Sequence, residues 1–385
     1  MSDYTETERP FDLQSPNAPE EEPKAVTASY SQWNLIWRRF KKHKAGVVGG
    51  YVVIFLYIAV FMGEFLAPHG ISNRYYKVVH CPPQRIHFIS DEGLHLRPFV
   101  YGIKGSLDRR TGIKQYTEDS TKKYPIYLFS RGDKYEFYGL FTTDIHLFGT
   151  GKGNPMFLLG TDRFGRDMFS RIIVGGRISL TIGLLAVTLS LTLGSIFGVI
   201  SGFYGGTVDH IIQRMIELIF AFPSIPILMA LSAVLPPEWP SHLVFMGIVT
   251  VLALVGWGGL AREIRGKTLS IRESDFVMAA RVCGAKDGRI LFRHLLPSMF
   301  SHIIVIATLA IPGFILGEST LSFLGLGIKP PMTSWGLLLS DAMNIHSLSL
   351  YPWLLIPGVC IIIAVLAFNF LGDGLRDAAD PYSSR

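Results

Sequence analysis

The sequence predicts an all-α, polytopic membrane protein of six transmembrane helices, with a small β-containing insert between the first and the second. Three observations predict it. The 385 residues are 49% hydrophobic and 12% aromatic, high for a soluble domain and ordinary for a chain that crosses a bilayer repeatedly. Most of those apolar residues fall in runs long enough to span the ~30 Å hydrocarbon core at ~1.5 Å per residue. The basic residues cluster between particular runs, which fixes which ends face inward.

Residues 1–30 are acidic and poor in apolar side chains, with scattered prolines, and read as a disordered cytoplasmic tail. No apolar core follows a short basic start, so no secretory signal peptide is expected. Over residues 31–44, Trp33, Ile36, Trp37 and Phe40 recur at helical spacing while Arg38, Arg39, Lys41, Lys42 and Lys44 fill the other faces. That pattern predicts an amphipathic helix in the interface, with its cations toward anionic lipid headgroups. The first span lies within residues 45–67, its uncharged run extending from Ala45 to Gly63. Cations immediately before it put the N-terminus in the cytoplasm.

Residues 68–177 are polar and rich in Tyr, Phe and Gly, with strand-like runs at Tyr124 to Phe129 and Tyr135 to Phe141. Arg131-Gly132-Asp133 between them reads as a hairpin turn. The segment is expected to be extracytoplasmic, since stretches longer than ~60 residues translocate largely regardless of charge. His80, His87, His95 and His146 lack short ligand spacing, so no metal site is expected. The region shows no nucleophile motif either, and a structural or docking role is expected of it.

Five more spans complete the permeation domain over residues 178–372. Ile178 to Val208 is uncharged and carries Gly194, Gly198 and Gly202, small residues four apart that let helices approach closely, with Gly205 and Gly206 following. His210 to Leu235 holds Arg214 and Glu217, three apart and able to pair, and is bent by Pro223 and Pro226. Leu243 to Ala261, Ser298 to Gly317 and Ser347 to Gly372 follow, and residues 373–385 form a cytoplasmic tail. The loop 262–297 holds eight Lys or Arg against four acidic residues, whereas the turn Pro236 to His242 has none. Charge counting therefore places that loop in the cytoplasm, along with both termini. Cys81, Cys283 and Cys360 are expected outside, inside and within the membrane, so no intrachain disulfide is expected.

Within the loop, Ser274 is placed to cap a short helix that Gly284 ends, and a second helix starts near Lys286 and is held up at Pro297. The product is a helix–glycine–helix knob with Phe276, Val277 and Ala280 available to a partner. Ala279-Ala280, Gly284 and Leu296-Pro297 resemble the E-A-A, three residues, G, nine residues, I-x-L-P pattern of permease subunits of ABC importers. Met278 stands where that family usually has Glu, and His294 where it has Ile. The first departure removes a carboxylate from the loop. Leu159-Gly160-Thr161-Asp162-Arg163-Phe164-Gly165-Arg166-Asp167 is similar to the run before the second span in oligopeptide and dipeptide permeases. Gly202-Phe203-Tyr204-Gly205-Gly206, Ala221-Phe222-Pro223, Ser334-Trp335-Gly336 and Gly372 to Asp377 are similar to the same branch.

The resemblance, which covers Ser31 to Met62 and Leu158 to Arg385, implies the type I ABC importer fold and a C-type membrane subunit in a bacterial inner membrane. It implies that Asp275, Phe276, Val277, Met278, Ala279, Ala280, Gly284, His294, Leu296 and Pro297 form a coupling loop docking on an ATPase. The implied partners are a second homologous permease subunit, two ATPase subunits and an extracytoplasmic solute-binding protein; lipid surrounds the spans, and no nucleic acid is expected. The cavity wall is expected from the third to fifth spans with Glu318, Ser319 and Ser322, where Glu318 either faces an amino group of a substrate or caps Ser-rich backbone. Gly266-Lys267-Thr268 looks like the end of a P-loop, but Ala261 stands where its first glycine belongs. No cofactor is therefore expected on this chain, with ATP and Mg used by partner ATPases. Peptides are the expected cargo, with oligosaccharides or opine-like solutes as the alternative, and an ion-coupled secondary transporter is the reading from another class.

Overall fold

Inside a bilayer no water completes the backbone hydrogen bonds, so every apolar run has to satisfy them internally as a helix. A computed structural model of the chain describes residues 32–90, 93–109, 114–151, 155–343 and 345–380. The acidic tail expected over 1–30 and the last residues, 381–385, lie outside the described residues. Helix α1 (Gln32–Lys42) is followed by α2 (Lys44–Phe61), where His43 Nδ1 accepts the Gly46 N–H at 2.9 Å, and by the single turn α3 (Gly63–Leu66). After the insert come α4 (Met168–Tyr204), α5 (Gly206–Phe220), α6 (Ser224–Ala233) and α7 (Ser241–Ile271). A knob follows, made of α8 (Asp275–Val282), the turn α9 (Asp287–Arg289), a π-helical turn Ile290–Leu295 and α10 (Leu296–Ser298). The chain closes with α11 (Phe300–Phe323), the short α12 (Trp335–Leu339) and α13 (Ile345–Leu350), and α14 (Ile356–Ala379).

Among the described residues five helical segments are long and apolar enough to cross a membrane, and α5 with α6, bent by 86°, makes a sixth if the pair counts as one span. The bend falls at Phe222-Pro223, where proline cannot continue the hydrogen-bond ladder. Helix boundaries depart from the hydropathy boundaries in both directions: the long helix of the sixth span begins at Ile356 rather than Ser347 and the second ends at Tyr204 rather than Val208, whereas other ends run longer. The second span starts at Met168, ten residues before the expected Ile178, and its 37 residues reach roughly 55 Å. The fourth extends to Ile271 rather than Ala261, and the fifth to Phe323 rather than Gly317. Hydropathy locates the membrane crossing, whereas a helix continues into water wherever its polar end remains a good helix.

The most extensive contact in the molecule is between α4 and α7. A Cβ on Gly198 would lie 2.6 Å from the Ala261 carbonyl oxygen, one on Gly194 2.9 Å from Leu260 Cβ, and one on Gly202 2.7 Å from Thr268 Cβ. The three glycines therefore fill the role their spacing indicates. Gly205 and Gly206 have positive φ and end α4 instead. A second close crossing joins α2 to α14, where a Cβ on Gly46 would sit 2.8 Å from Gly374 Cα.

The insert is two antiparallel sheets. One has the order β1 (His87–Ser90), β2 (Gly93–Leu107), β3 (Lys114–Pro125); the other pairs β4 (Tyr127–Phe137) with β5 (Phe141–Gly149). Arg131-Gly132-Asp133 is not the hairpin turn. It is an irregularity within β4, where the register shifts between Arg131 and Tyr135, and the turn lies at Tyr138-Gly139-Leu140. Tyr138 and Gly139 take the positive φ values a tight hairpin needs, 50° and 73°. Asp133 is drawn out of the ladder to accept hydrogen bonds from Gly70 N at 3.0 Å and Asn73 Nδ2 at 2.7 Å.

The run Leu159 to Asp167 latches the insert onto α4. Buried Asp162 accepts the Phe164 and Arg166 N–H groups at 2.8 and 2.9 Å and pairs with the guanidinium groups of Arg166 and Arg171. Asp167 caps α4 by accepting Ser170 N at 2.9 Å. Burial raises the Asp167 carboxyl pKa above its usual range, and the Ser170 hydrogen bonds act against that rise. Replacing Gly198 by Leu forces α4 and α7 apart and is expected to cost about 1–3 kcal/mol. Gly266→Leu, at a position with open space, leaves stability unchanged. Thermal melting of the detergent-solubilised chain distinguishes the two.

Candidate functional site

The knob is built from the cytoplasmic-type loop whose basic residues stand out in the sequence. Ser274 occupies the N-cap position of α8, but its hydroxyl donates to Ile271 O at 2.6 Å and caps nothing. The first α8 N–H groups are taken by the Ser274 carbonyl, from Val277 and Met278 at 3.0 Å each. At the other end Gly284 has φ +74°, and Ala285 N and Gly284 N bond back to the carbonyls of Ala280 and Arg281 at 3.0 and 2.9 Å. This is a Schellman closure, which requires the left-handed residue that glycine supplies. The second helix is no clean helix: it runs through the π turn, and Pro297 opens the last turn before α11 rather than stopping the chain.

Of the three residues expected to face a partner, only Phe276 is exposed, at 43%. Val277 is 0% exposed and plugs a cluster with Val199 and Phe203 of α4, Ile264 of α7, and Ile290, Leu291 and Leu295 of the π turn. Ala280 is half-buried against the same cluster. The helical period explains this: α8 needs one apolar position to hold it down, and Val277 is that position. Asp275, Phe276, Met278, Ala279 and Val282 form the open face, with Val282 87% exposed. Gly284 and Pro297 are also exposed, while His294 and Leu296 are half-buried.

Polar ties fix the knob to the helix ends below it. Arg265 of α7 holds Asp209 of α5 in a fork, Nε to Oδ1 at 2.6 Å and Nη2 to Oδ2 at 2.5 Å. Ser201 of α4 donates to the same carboxylate, and Gln213 donates to Ser201 at 3.3 Å. Arg272 reaches Gly202 O at 3.2 Å, and the Arg281 guanidinium lies over the Phe203 ring at 5.1 Å. Sequence reasoning counted Arg265 as a loop cation and missed its partner. The available signal is Asp209, three residues beyond Gly206 and the first charge after an uncharged run. The Arg214–Glu217 pair forms at 2.7 Å, as spacing indicates, but it is exposed and contributes little.

Glu318, Ser319 and Ser322 are packed inside the chain rather than on an open wall. Glu318 is 0% exposed and accepts hydrogen bonds from Ser179 at 3.0 Å and Ser322 at 2.7 Å, with Ser319 at 3.4 Å. Ser179 also accepts the Trp335 N–H at 3.1 Å, so the hydroxyl cage ties α4, α11 and α12 together. Open space lies elsewhere. A groove of about 330 Å³ runs between α6, α7 and α11, lined by Leu228, Leu252, Gly256, Gly259, Gly313 and Glu263 among others. Nothing lies within 4 Å of where a Cβ on Gly259 or Gly313 would be. Gly266-Lys267-Thr268 is interior to helix α7, where the backbone N–H groups are spent on the helix and cradle no phosphate.

Comparison with known proteins agrees with this architecture. The family described as binding-protein-dependent transport system inner membrane component matches residues 194–384, and the N-terminal TM domain of oligopeptide transport permease C matches residues 31–83. The chain is 45% identical over 223 residues to a dipeptide transport system permease protein of Alkalihalophilus pseudofirmus, covering 58% of this chain and 71% of that relative. It is 44% identical over 223 residues to an oligopeptide transport system permease protein of Haemophilus influenzae, 58% of this chain and 69% of the relative. A dipeptide transport system permease protein of Bacillus subtilis is 31% identical over 369 residues, 96% of this chain and 91% of its own, insert included. An inward-facing structure of the MetNI methionine ABC transporter aligns over 55% of this chain and 97% of its own, at TM-score 0.44 and 16% identity. A helical bundle that crosses the membrane several times, with matches at both ends of the chain and a relative aligned along nearly all of it, places this protein: it belongs to the family of binding-protein-dependent transport system inner membrane components, as a membrane permease subunit.

Proposed function

We propose that this subunit is half of the pathway of an ATP-driven importer of peptides, worked from the cytoplasm through the knob. The observation that carries the proposal is the division of α8, with Val277 sunk among α4, α7 and the π turn while Phe276, Met278, Ala279 and Val282 stand free. A short helix rigidly rooted on one face and apolar on the other suits docking into a groove of an ATPase subunit. ATP and Mg belong to two such partners. A second, similar permease subunit completes the pathway, and a binding protein delivers cargo from outside. The family, the basic residues around the knob and the dipeptide and oligopeptide names of the relatives support this reading. Charge asymmetry supports an inner-membrane orientation with both termini in the cytoplasm.

Coupling follows from the ties beneath the knob. When two ATPases close, each moves a knob as a body, because Val277 and the Arg281–Phe203 contact root it on α4 and α7, and the Asp209–Arg265 fork braces the helix ends beneath it. The motion passes through the π turn into α11 and through Arg265 into α7, the two helices that flank the groove. Glycine walls there offer little chemistry, which suits a solute recognised by the binding protein and passed through.

Three outcomes test the proposal. Ala279→Glu with Val282→Glu changes only exposed positions, so the chain folds normally while ATPase association weakens tenfold or more, a loss of at least about 1.4 kcal/mol; co-purification with the ATPase measures it. Asp209→Ala leaves Arg265 without its carboxylate, so the ATPase still binds but cargo-stimulated hydrolysis in proteoliposomes falls about tenfold, or about 1.4 kcal/mol. Gly313→Trp starts its side chain in open space and fills the groove, so peptide uptake is lost while ATPase association persists.

A further inference from the structure

Where α1 lies across the ends of α7, α11 and α14, the four helices enclose a cavity of about 550 Å³. Its rim is cationic: Arg39 comes from α1, Lys267 from α7 and Arg376 from α14, with His302 of α11 beside them. Among the described residues Asp380 is the one carboxylate in the lining, and Glu263, one helical turn before Lys267 on α7, lies outside it. Arg39 donates from Nη1 to the Asp380 backbone carbonyl at 2.8 Å, which clips α1 to the end of α14 and holds the guanidinium at the cavity. Among the described residues neither Lys267 nor Arg376 forms an ion pair. Three permanent cations drawn from three separate helices thus line one space in excess over its acids. Gathering like charges is unfavourable, and an anion between them offsets the repulsion.

The rest of the lining decides what kind of anion. Leu35 and Ile36 of α1 and Val305 of α11 form an apolar wall, and Ser301 adds a hydroxyl to the lining, whereas the Ser298 hydroxyl donates to Leu295 O at 2.7 Å. The volume falls within the ~300–1,000 Å³ range of small-molecule sites. Helix α1 carries its cations at the level where α2 enters the hydrocarbon, and α11 and α14 continue into it, so the cavity stands at a membrane surface. A soluble anion would use the cations and waste the wall. We propose that this cavity binds an anionic phospholipid, its phosphodiester headgroup held by Arg39, Lys267 and Arg376 and the start of its acyl chains laid along Leu35, Ile36 and Val305. Basic pockets between transmembrane helices are the chemistry that selects anionic headgroups. The site bridges α1 to the first turn of α11, immediately beyond the knob, so the lipid acts as a removable strut between the N-terminal helix and the coupling end of the bundle.

The test is native mass spectrometry of the full-length chain, with any subunits that co-purify, after exposure to equal phosphatidylglycerol and phosphatidylcholine. Phosphatidylglycerol is expected to be retained at least tenfold over phosphatidylcholine. Lys267→Gln with Arg376→Gln, which leaves the Arg39 clip intact, abolishes that preference, and Lys267→Arg with Arg376→Lys restores it. Lys41→Gln, Lys42→Gln and Lys44→Gln together remove three charges from outside the cavity and leave it unchanged. Equal retention of the two lipids, or equal loss in the cavity variant and the outside variant, overturns the site in favour of general surface charge. Inorganic phosphate and glycerol 3-phosphate at millimolar concentration are expected to leave bound lipid in place. Displacement by either shows that the site takes a free phosphate, and overturns the lipid assignment.

Discussion

Two helices in lipid come only as close as their side chains permit, and the approach of α4 to α7 across Gly194, Gly198 and Gly202 sets the position of nearly everything else. No hydrophobic force draws helices together there, so contact has to come from fit, and glycine lets backbone lie on backbone. The consequence reaches beyond the pair. The end of α4 supplies Val199, Ser201, Gly202 and Phe203 to the knob, and the end of α7 supplies Ile264, Arg265 and Arg272. Were the helices a side chain further apart, the socket for Val277 and the fork on Asp209 would not form.

That dependence gives the knob its mechanical character. A loop that merely covered the membrane face would bend under a docking partner and transmit nothing. Here one buried valine and a Schellman closure at Gly284 make the knob an extension of the helices, while an arginine–carboxylate fork braces α5 against α7 beneath it. Alternating access needs bodies with discrete arrangements rather than soft ones, and a knob fixed in this way moves with its bundle.

Much of this was legible in the sequence, and the parts that were not share a cause. The number of crossings, the bend at Phe222-Pro223, the glycine stripe and the role of Gly284 followed from local chemistry, because each depends on one residue or one period. Val277 reads as a docking residue because a helical pattern shows that one face is apolar but not which apolar side chain is sunk and which stands free. Ser274 reads as a cap because its type allows one, although its hydroxyl turns back to Ile271. For Glu318 the sequence leaves open a substrate wall or a partnership with serines, and the fold decides for the serines by closing Ser179, brought from 139 residues away, over it. The Asp209–Arg265 fork spans 56 residues and was equally invisible. Arg131-Gly132-Asp133 had turn composition, yet Gly70 and Asn73 held Asp133 in a bulge and the turn moved to the positive-φ pair beyond it. Local signals survive translation into structure, whereas anything decided by a partner distant in the chain does not.

The insert enters and leaves the bundle through two pinned points. At the entrance Glu64 is gripped by Arg177, and Tyr138 bonds to the Phe61 carbonyl at 3.1 Å; at the exit Asp162 and Asp167 lock the chain onto the start of α4. Closing a longer or shorter loop between fixed ends changes the entropy only slowly with length. The two sheets therefore behave as interchangeable cargo on a common chassis. Their length and surface can change between those two anchors while the machinery below stays the same.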